Sequence, residues 1–342
     1  MRALLLDKIV SLTENTSPLR RVNWPVPEPA ADEVLIRVHA CGVCHTELDE
    51  IEGRAPPPRL PVIPGHQAVG RIAALGSKAA GLRIGDRVGV AWIYSACGVC
   101  GYCRRGMENL CAEFQATGRD AHGGYAEYMT ARADFVHLLP DEFSDVQAAP
   151  LLCAGAVGYR ALRLAGLTDG QDLGFTGFGA SAHLVLQLAR RQYPNSRFYV
   201  FARSVQERAY ARDLGAVWAG DITDTCPCLL QAIIDTTPAW TPVLMALNNL
   251  APGGRLIINA IRKEEADKDA LLRLNYAQHL WREKEIKSVA NVTRDDVRQF
   301  LRLAKDAGIR PEVEEYPLAG ANRALLDMKH KPARGARVLR MI

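Results

Sequence analysis

The chain has 342 residues, 48% hydrophobic and 23% charged, with a formal charge of +4. That length supports a sizeable core and two domains or one large one, and the small charge without a basic block excludes a surface that tracks nucleic acid. No apolar run reaches the ~20 residues needed to span a bilayer, so no membrane partner is expected.

The N-terminal segment MRALLLDKIV lacks the long apolar core and cleavage site of a signal peptide and predicts a first strand. Nine cysteines, an odd number, in such a chain suggest reduced thiols and a cytoplasmic location. CGVCHTELD (41–49) follows, with Cys41 expected in the core, and then the stiff proline-rich loop APPPRLPVIPGH leads to PGHQAVG (64–70).

SACGVCGYCRRGMENLC (95–111) carries Cys97, Cys100, Cys103 and Cys111 in the spacing C-x2-C-x2-C-x7-C. Three cysteines at every third position bridge one another poorly as disulfides. Turns at Gly98 and Gly101 can aim their sulfurs at one centre that Cys111 closes. An S4 site suits zinc or an iron–sulfur cluster, and zinc leads because nothing supplies an electron-transfer partner. With no open position the site would be structural.

Cys44, His66 and Cys153, the last in APLLCAGAVGY (149–159), together form a Cys2His set, the donor set of a catalytic zinc with one open position. Taken singly, each reads as core or as an ordinary satisfied polar residue. Spacing alone does not assemble ligands so far apart.

From about residue 154 short apolar runs alternate with amphipathic segments. DLGFTG, RFYVFA, LLQAIIDTT and GRLIINA predict strands of a parallel sheet with helices on both faces. GFTGFGASAHLVLQLA (174–189) places Gly177-x-Gly179-x-x-Ala182 between a strand and a helix. That is the fingerprint of a pyrophosphate at a helix N-terminus. CPC at 226–228 has two thiols and no nearby histidine, which reads as a loop. VTRDDVRQFLRLAKDAG predicts a helix capped by Thr293 with Asp296 and stopped by Gly308, with Val297, Phe300, Leu301 and Ala304 facing the core. The basic end, KHKPARGARVLR, reads as a solvated edge.

CGVCHTEL, PGHQAVG, the CGVCGYC lobe and APLLCAGAVGY, in this order and separation, resemble the zinc-dependent medium-chain alcohol dehydrogenases, closest in pattern to the tetrameric bacterial and yeast type. The resemblance runs over essentially the whole chain. It implies an α/β fold: a GroES-like, mostly-β catalytic domain over 1–153 and 290–342, with a structural-zinc lobe at 95–113, and a Rossmann doubly wound parallel sheet over 154–289. It implies two zinc ions per subunit, a catalytic one on Cys44, His66 and Cys153 and a structural one on Cys97, Cys100, Cys103 and Cys111. The implied reaction moves a hydride between a nicotinamide cofactor and a small alcohol or aldehyde, with a homo-oligomer, dimer or tetramer, as the assembly. A zinc-independent enone or quinone reductase of the same superfamily, and a non-catalytic dinucleotide-binding sensor, are the alternatives.

The resemblance also assigns roles by position. Thr46 matches the hydroxyl that starts the proton relay, and Asp49 stands at the relay-histidine position. His45 matches a basic contact to the pyrophosphate. Glu47 stands for the carboxylate behind the zinc, where the family has Asp, and Gln67 replaces the Glu of Gly-His-Glu. Trp92 matches a lining position of the alcohol pocket. Where NAD-type members carry an aspartate, this chain has Ala202, followed by Arg203 and Ser204. No carboxylate there repels a 2′-phosphate and Arg203 can pair with one, so NADP is favoured over NAD. An arginine near the end, Arg334 or Arg337, is expected to reach the cofactor phosphates.

Overall fold

The structure, a computed structural model, describes residues 1–331 and 335–341, so Arg334 lies outside the described residues. Backbone packing divides the chain into two compact units. The first comprises Met1–Ala156, Asn291–Lys305 and Arg310 onward, and the second Val157–Ala290 with Asp306–Ile309.

In the first unit the apolar run at the N-terminus forms β1 (Arg2–Leu6), paired antiparallel with β2 (Leu19–Asn23). The long β3 (Glu33–Val43) alternates strictly at its start. Val34, Ile36, Val38 and Ala40 point inward and are at most 1% exposed. It runs directly into helix α1 (His45–Ile51) through Cys44, whose extended backbone makes it the N-cap. β4 (Ala68–Leu75), β5 (Arg87–Val90), β6 (Ile93–Ser95), the short α2 (Gly101–Arg104), β7 (Gln115–Ala116), β8 (Tyr128–Arg132), β9 (Val136–Leu138) and α3 (Asp145–Ala148) follow. β3 pairs antiparallel with both β4 and β8, and one apolar core gathers Leu4, Ile36, Ile51, Ile63, Val88, Tyr125 and Leu325.

The chain enters the second unit along α4 (Ala154–Ala165). There β10 (Leu173–Thr176), α5 (Ala180–Gln192), β11 (Phe198–Phe201), α6 (Val205–Asp213), β12 (Trp218–Gly220), β13 (Leu230–Asp235), α7 (Thr241–Asn249), β14 (Leu250–Ile258) and β15 (Glu285–Ser288) build a six-stranded sheet. Its order is β12-β11-β10-β13-β14-β15 and every pairing is parallel. The order reverses between β10 and β13, and such a reversal opens a crevice at the carboxyl ends of the strands. The four runs expected as strands are β10, β11, β13 and β14. β12 and β15 carried no such signal, being a three-residue strand and the fully exposed sequence EIKS.

The chain returns to the first unit in α8 (Arg294–Asp306). Thr293 caps it, its hydroxyl accepting from Asp296 N–H at 3.1 Å and donating to Asp296 Oδ2 at 2.8 Å. Val297, Phe300, Leu301 and Ala304 are buried and Gly308 adopts φ +63°, as the cap and stop signals imply. β16 (Val313–Pro317), α9 (Ala321–His330) and β17 (Ala336–Arg340) complete a sheet ordered β16-β17-β3-β4-β5-β9, with β8 also on β3. Among the described residues no helix is long and apolar enough to cross a membrane.

Two histidines are buried without charge. Burial, aided at His137 by the Arg298 and Arg294 charges, pushes His137 down to about 3 and His183 down to about 4. The unfolded chain protonates both below the ordinary value of about 6.5. Their contribution to stability is therefore complete above about pH 6.5 and drains away as the pH falls toward the folded values. The urea midpoint is expected to drop on acidification from about pH 6.5 to 4.5, and His137→Leu to flatten that slope. A variant slope equal to wild type would contradict this.

Candidate metal and nucleotide sites

α1 begins where it does because Glu47, its third residue, reaches back and accepts from Cys44 N–H through Oε2 at 2.7 Å. The same carboxylate, fully buried, accepts from His66 Nδ1 through Oε1 at 2.6 Å. This fixes the tautomer: Nδ1 carries the proton and Nε2 presents its lone pair. His66 Nε2 is buried and has no hydrogen-bond partner. A buried lone pair left unused needs a proton donor or a cation, and the Cys44 and Cys153 sulfurs lie around it. The ligand atoms of Cys44, His66 and Cys153 all lie within 4.8 Å of one another. Two sulfurs and an unpartnered imidazole nitrogen at this spacing suit a tetrahedral zinc with a fourth position open.

The three groups also act strongly on one another's protonation. The Cys153 thiol donates to Cys44 and, with the nearby His66, holds the Cys44 thiol well below its ordinary value against the effect of burial. Cys153, as the donor of the pair, is pushed up, further so by burial. Burial alone would lower His66, but the charge and hydrogen bond of Glu47, together with Cys44, outweigh it and raise the imidazole.

Around this centre the expected residues are placed as follows. Thr46 is 6% exposed, with its hydroxyl 3.6 Å from Cys44 Sγ. Gln67 is buried with its amide packed on Gly42, where a Cβ would come within 2.7 Å of it. Trp92 is half-buried against Phe114, with ring centroids 5.3 Å apart. His45 is exposed at the first position of α1. Asp49 is buried and accepts from Arg54 Nε at 2.6 Å, a partner that sequence reasoning missed.

A second group joins Cys97, Cys100, Cys103 and Cys111, whose sulfurs also fall within 4.8 Å of one another. Gly98, at φ +75°, makes the turn between the first two. Backbone N–H groups already aim at the sulfurs: Cys100 N–H at Cys97 Sγ (3.3 Å), and Cys97 and Glu113 N–H at Cys111 Sγ (3.5 and 3.4 Å). Sequence reasoning also missed Glu108, buried in this lobe, which accepts from Arg294 N–H and Nε and so ties the lobe to the start of α8. Cys226 and Cys228 sit in a loop and belong to neither group.

In the second unit the glycine fingerprint spans the β10–α5 turn. Gly177 has φ +79°, and a Cβ on it would come within 2.8 Å of Thr236 Oγ1. Gly179 is the N-cap of α5 and a Cβ there would meet nothing within 4 Å, so the helix N-terminus is open to an anion. Ala182 is 1% exposed, packed close as the third position requires. At the end of β11, Ala202 is fully buried, Arg203 is exposed, and Ser204 caps α6 by accepting from Glu207 N–H at 3.3 Å. Beside the fingerprint, at the carboxyl end of β13, the buried Asp235 is paired with Lys263, whose ammonium also donates to Thr237 and Ala239 carbonyls at 2.8 and 2.9 Å. The charged pair carried no periodic or motif signal.

One expectation needs correction. Arg337 is not part of a solvated edge. It is 2% exposed in β17, and its guanidinium donates to Glu314 Oε2 and to the Lys331 carbonyl, each at 3.1 Å. A basic terminal run looks like surface, but β17 lies inside the sheet between β16 and β3.

A doubly wound sheet with a nucleotide fingerprint, beside a separate β-rich unit that carries a Cys2His group, is the framework of a dinucleotide-dependent oxidoreductase. Comparison with known proteins agrees. Residues 30–141 match the alcohol dehydrogenase GroES-like domain. The chain is 46% identical over 330 residues to a probable alcohol dehydrogenase, AdhA, of Mycobacterium tuberculosis, covering 95% of this chain and 93% of the relative. It is 33% identical over 324 residues to an alcohol dehydrogenase of Geobacillus stearothermophilus, covering 92% and 93%. A cobalt- and zinc-bound thermostable alcohol dehydrogenase from Pyrobaculum aerophilum shares the fold at a TM-score of 0.87, with 22% identity over 99% of each chain. The chain belongs to the zinc-type medium-chain alcohol dehydrogenase family, and its activity is that of an NAD(P)-dependent oxidoreductase for alcohols and aldehydes.

The Asp49–Arg54 pair gives a direct expectation. Arg54→Ala removes the guanidinium that Asp49 and Glu52 share, so it should lower unfolding free energy by up to about 3 kcal/mol, limited because Arg54 is one-third exposed. Chemical denaturation reads this, and an unchanged midpoint would show that Asp49 is satisfied some other way.

Proposed function

We propose that Cys44, His66 and Cys153 hold the catalytic zinc and that Cys97, Cys100, Cys103 and Cys111 hold a second, structural zinc. The observation that carries the reading is the buried, unpartnered His66 Nε2 facing two sulfurs. When bound, the catalytic zinc supplies Lewis-acid charge that favours loss of an alcohol's proton near neutral pH and, in the reverse direction, polarises a carbonyl. The protein's own residues do the rest. Glu47 keeps the imidazole in the tautomer that offers Nε2, and its bond to Cys44 N–H fixes the helix start that places the thiolate. The buried Thr46 hydroxyl accepts the substrate proton. As the Thr46 hydroxyl gives up its own proton in exchange, the Asp49 carboxylate, three residues on and on the same face of α1, can take it, with Arg54 orienting that carboxylate. Trp92 and Phe114 supply an aromatic wall suited to small or flat substrates.

The Cys2His set favours this chemistry over a zinc-independent enone or quinone reductase and over a non-catalytic sensor. We assign residues 1–153 and 290–342 to the catalytic domain and 154–289 to the nucleotide domain. NADP is the favoured cofactor, with Gly177, Gly179 and Ala182 cradling the pyrophosphate. The buried methyl of Ala202 leaves no charge against a 2′-phosphate, and exposed Arg203 can pair with one beside the Ser204-capped N-terminus of α6. A homo-oligomer is proposed through the edge strand β15. All four of its residues are exposed, and Leu272 (89%), Tyr276 and Trp281 are exposed just before it in the sequence. Nine free thiols suit the cytoplasm.

A panel of small alcohols and aldehydes run with both cofactors tests the reading. NADP-linked turnover that disappears in Cys153→Ala is expected, and undiminished turnover in that variant would remove the residue from the site. Ala202→Asp should shift the NADP-to-NAD ratio of kcat/KM toward NAD by about tenfold or more, roughly 1.4 kcal/mol. An unchanged ratio would refute the cofactor assignment.

A further inference from the structure

Helix α1 and its C-cap Glu52 carry four carboxylates, and three are answered. Glu47 takes Cys44 N–H and His66 Nδ1, and Asp49 takes Arg54. Glu52 takes Leu12 N–H, Arg54 Nη1 and Lys329 Nζ. Glu50 is different. It is 1% exposed, and neither of its oxygens has a hydrogen-bond partner. The Trp92 indole N–H acts on Glu50 without meeting ordinary hydrogen-bond geometry, and is itself unpartnered by that measure. The strongest charges that Glu50 feels come from Glu47, His66 and Cys44. Two of these three are negative, and among the described residues no lysine or arginine is a leading influence that would balance the carboxylate.

A buried carboxylate with no donor and like charges for neighbours is costly. The arrangement becomes favourable with a cation at the ligand atoms of Cys44, His66 and Cys153. Two thiolates neutralise a divalent ion, and Glu47 and Glu50 then add negative charge from the helix side. On the strand side the residue after the ligand histidine is the neutral Gln67, packed on Gly42. Glu50 is not among the atoms lying within 4.8 Å of one another, so it acts through its charge rather than as a ligand.

We propose that Glu50 is a metal-positioning residue, a buried carboxylate that retains the divalent ion of the Cys44–His66–Cys153 site electrostatically. This rests on the assignment of that site as the catalytic zinc site.

The test uses the purified holoenzyme and zinc release to 4-(2-pyridylazo)resorcinol, with cobalt(II) absorption after exchange as a readout independent of turnover. Wild type should release zinc in two phases, one for each site. Glu50→Gln should speed the phase assigned to the Cys2His site by about 10–100-fold and leave the four-cysteine phase unchanged. The cobalt bands should persist at weaker metal affinity, because the donor atoms are intact. Glu50→Asp, which keeps the charge, should stay close to wild type and guards against a glutamine variant that folds poorly. Release from Glu50→Gln equal to wild type, or equal losses from the Asp and Gln variants, would overturn this proposal alone. A wild-type protein that carries only the four-cysteine zinc would overturn the site assignment with it.

Discussion

One carboxylate organises the metal-binding half of this protein. Glu47 uses one oxygen to close the start of α1 on the Cys44 backbone and the other to hold the proton of His66. The two contacts tie Cys44, at the end of β3, to His66, just before β4. Because β3 and β4 are themselves paired, the carboxylate completes a closed loop of strand, cap and imidazole. Each contact constrains the other. Turning the imidazole would break the cap, and fraying the helix would release the tautomer. The site is therefore preorganised by hydrogen bonds within the protein.

The rest of the first unit supports this arrangement at a distance. The four-cysteine lobe has little apolar material of its own, and the Glu108–Arg294 contact anchors it to α8, whose apolar face is buried. In the second unit the nucleotide fingerprint depends on a different constraint: the open N-terminus of α5 at Gly179 and the close approach of Gly177 to the loop after β13. Asp235 and Lys263 then hold that loop from beneath by a buried ion pair and two carbonyl bonds.

How much of this could be read from the sequence depended on how local the determinants were. The four clustered cysteines, the glycine fingerprint and the Thr293–Asp296 cap each lie within a few residues, and the structure brings each together as the spacing implied. The meeting of Cys44, His66 and Cys153 was not local. Only resemblance to a family joined them, because the pairing of β3 with β4 and the return of the chain near residue 153 leave no periodic trace. Arg337 was misread because a basic run carries no sign that its strand is central. β15 was missed because EIKS has no apolar alternation and is set only by its neighbour β14. Glu50 was silent in the sequence, since nothing marks one carboxylate among four as the one without a partner.

The central claim is that two sulfurs and one imidazole from distant parts of the chain bind a single ion. Anomalous diffraction at the zinc absorption edge from crystals of the purified protein tests it most directly. The account predicts two peaks, one among the four lobe cysteines and one within bonding distance of Cys44 Sγ, His66 Nε2 and Cys153 Sγ. A fully occupied lobe with no peak at the second position, in protein that turns over alcohols, would contradict it.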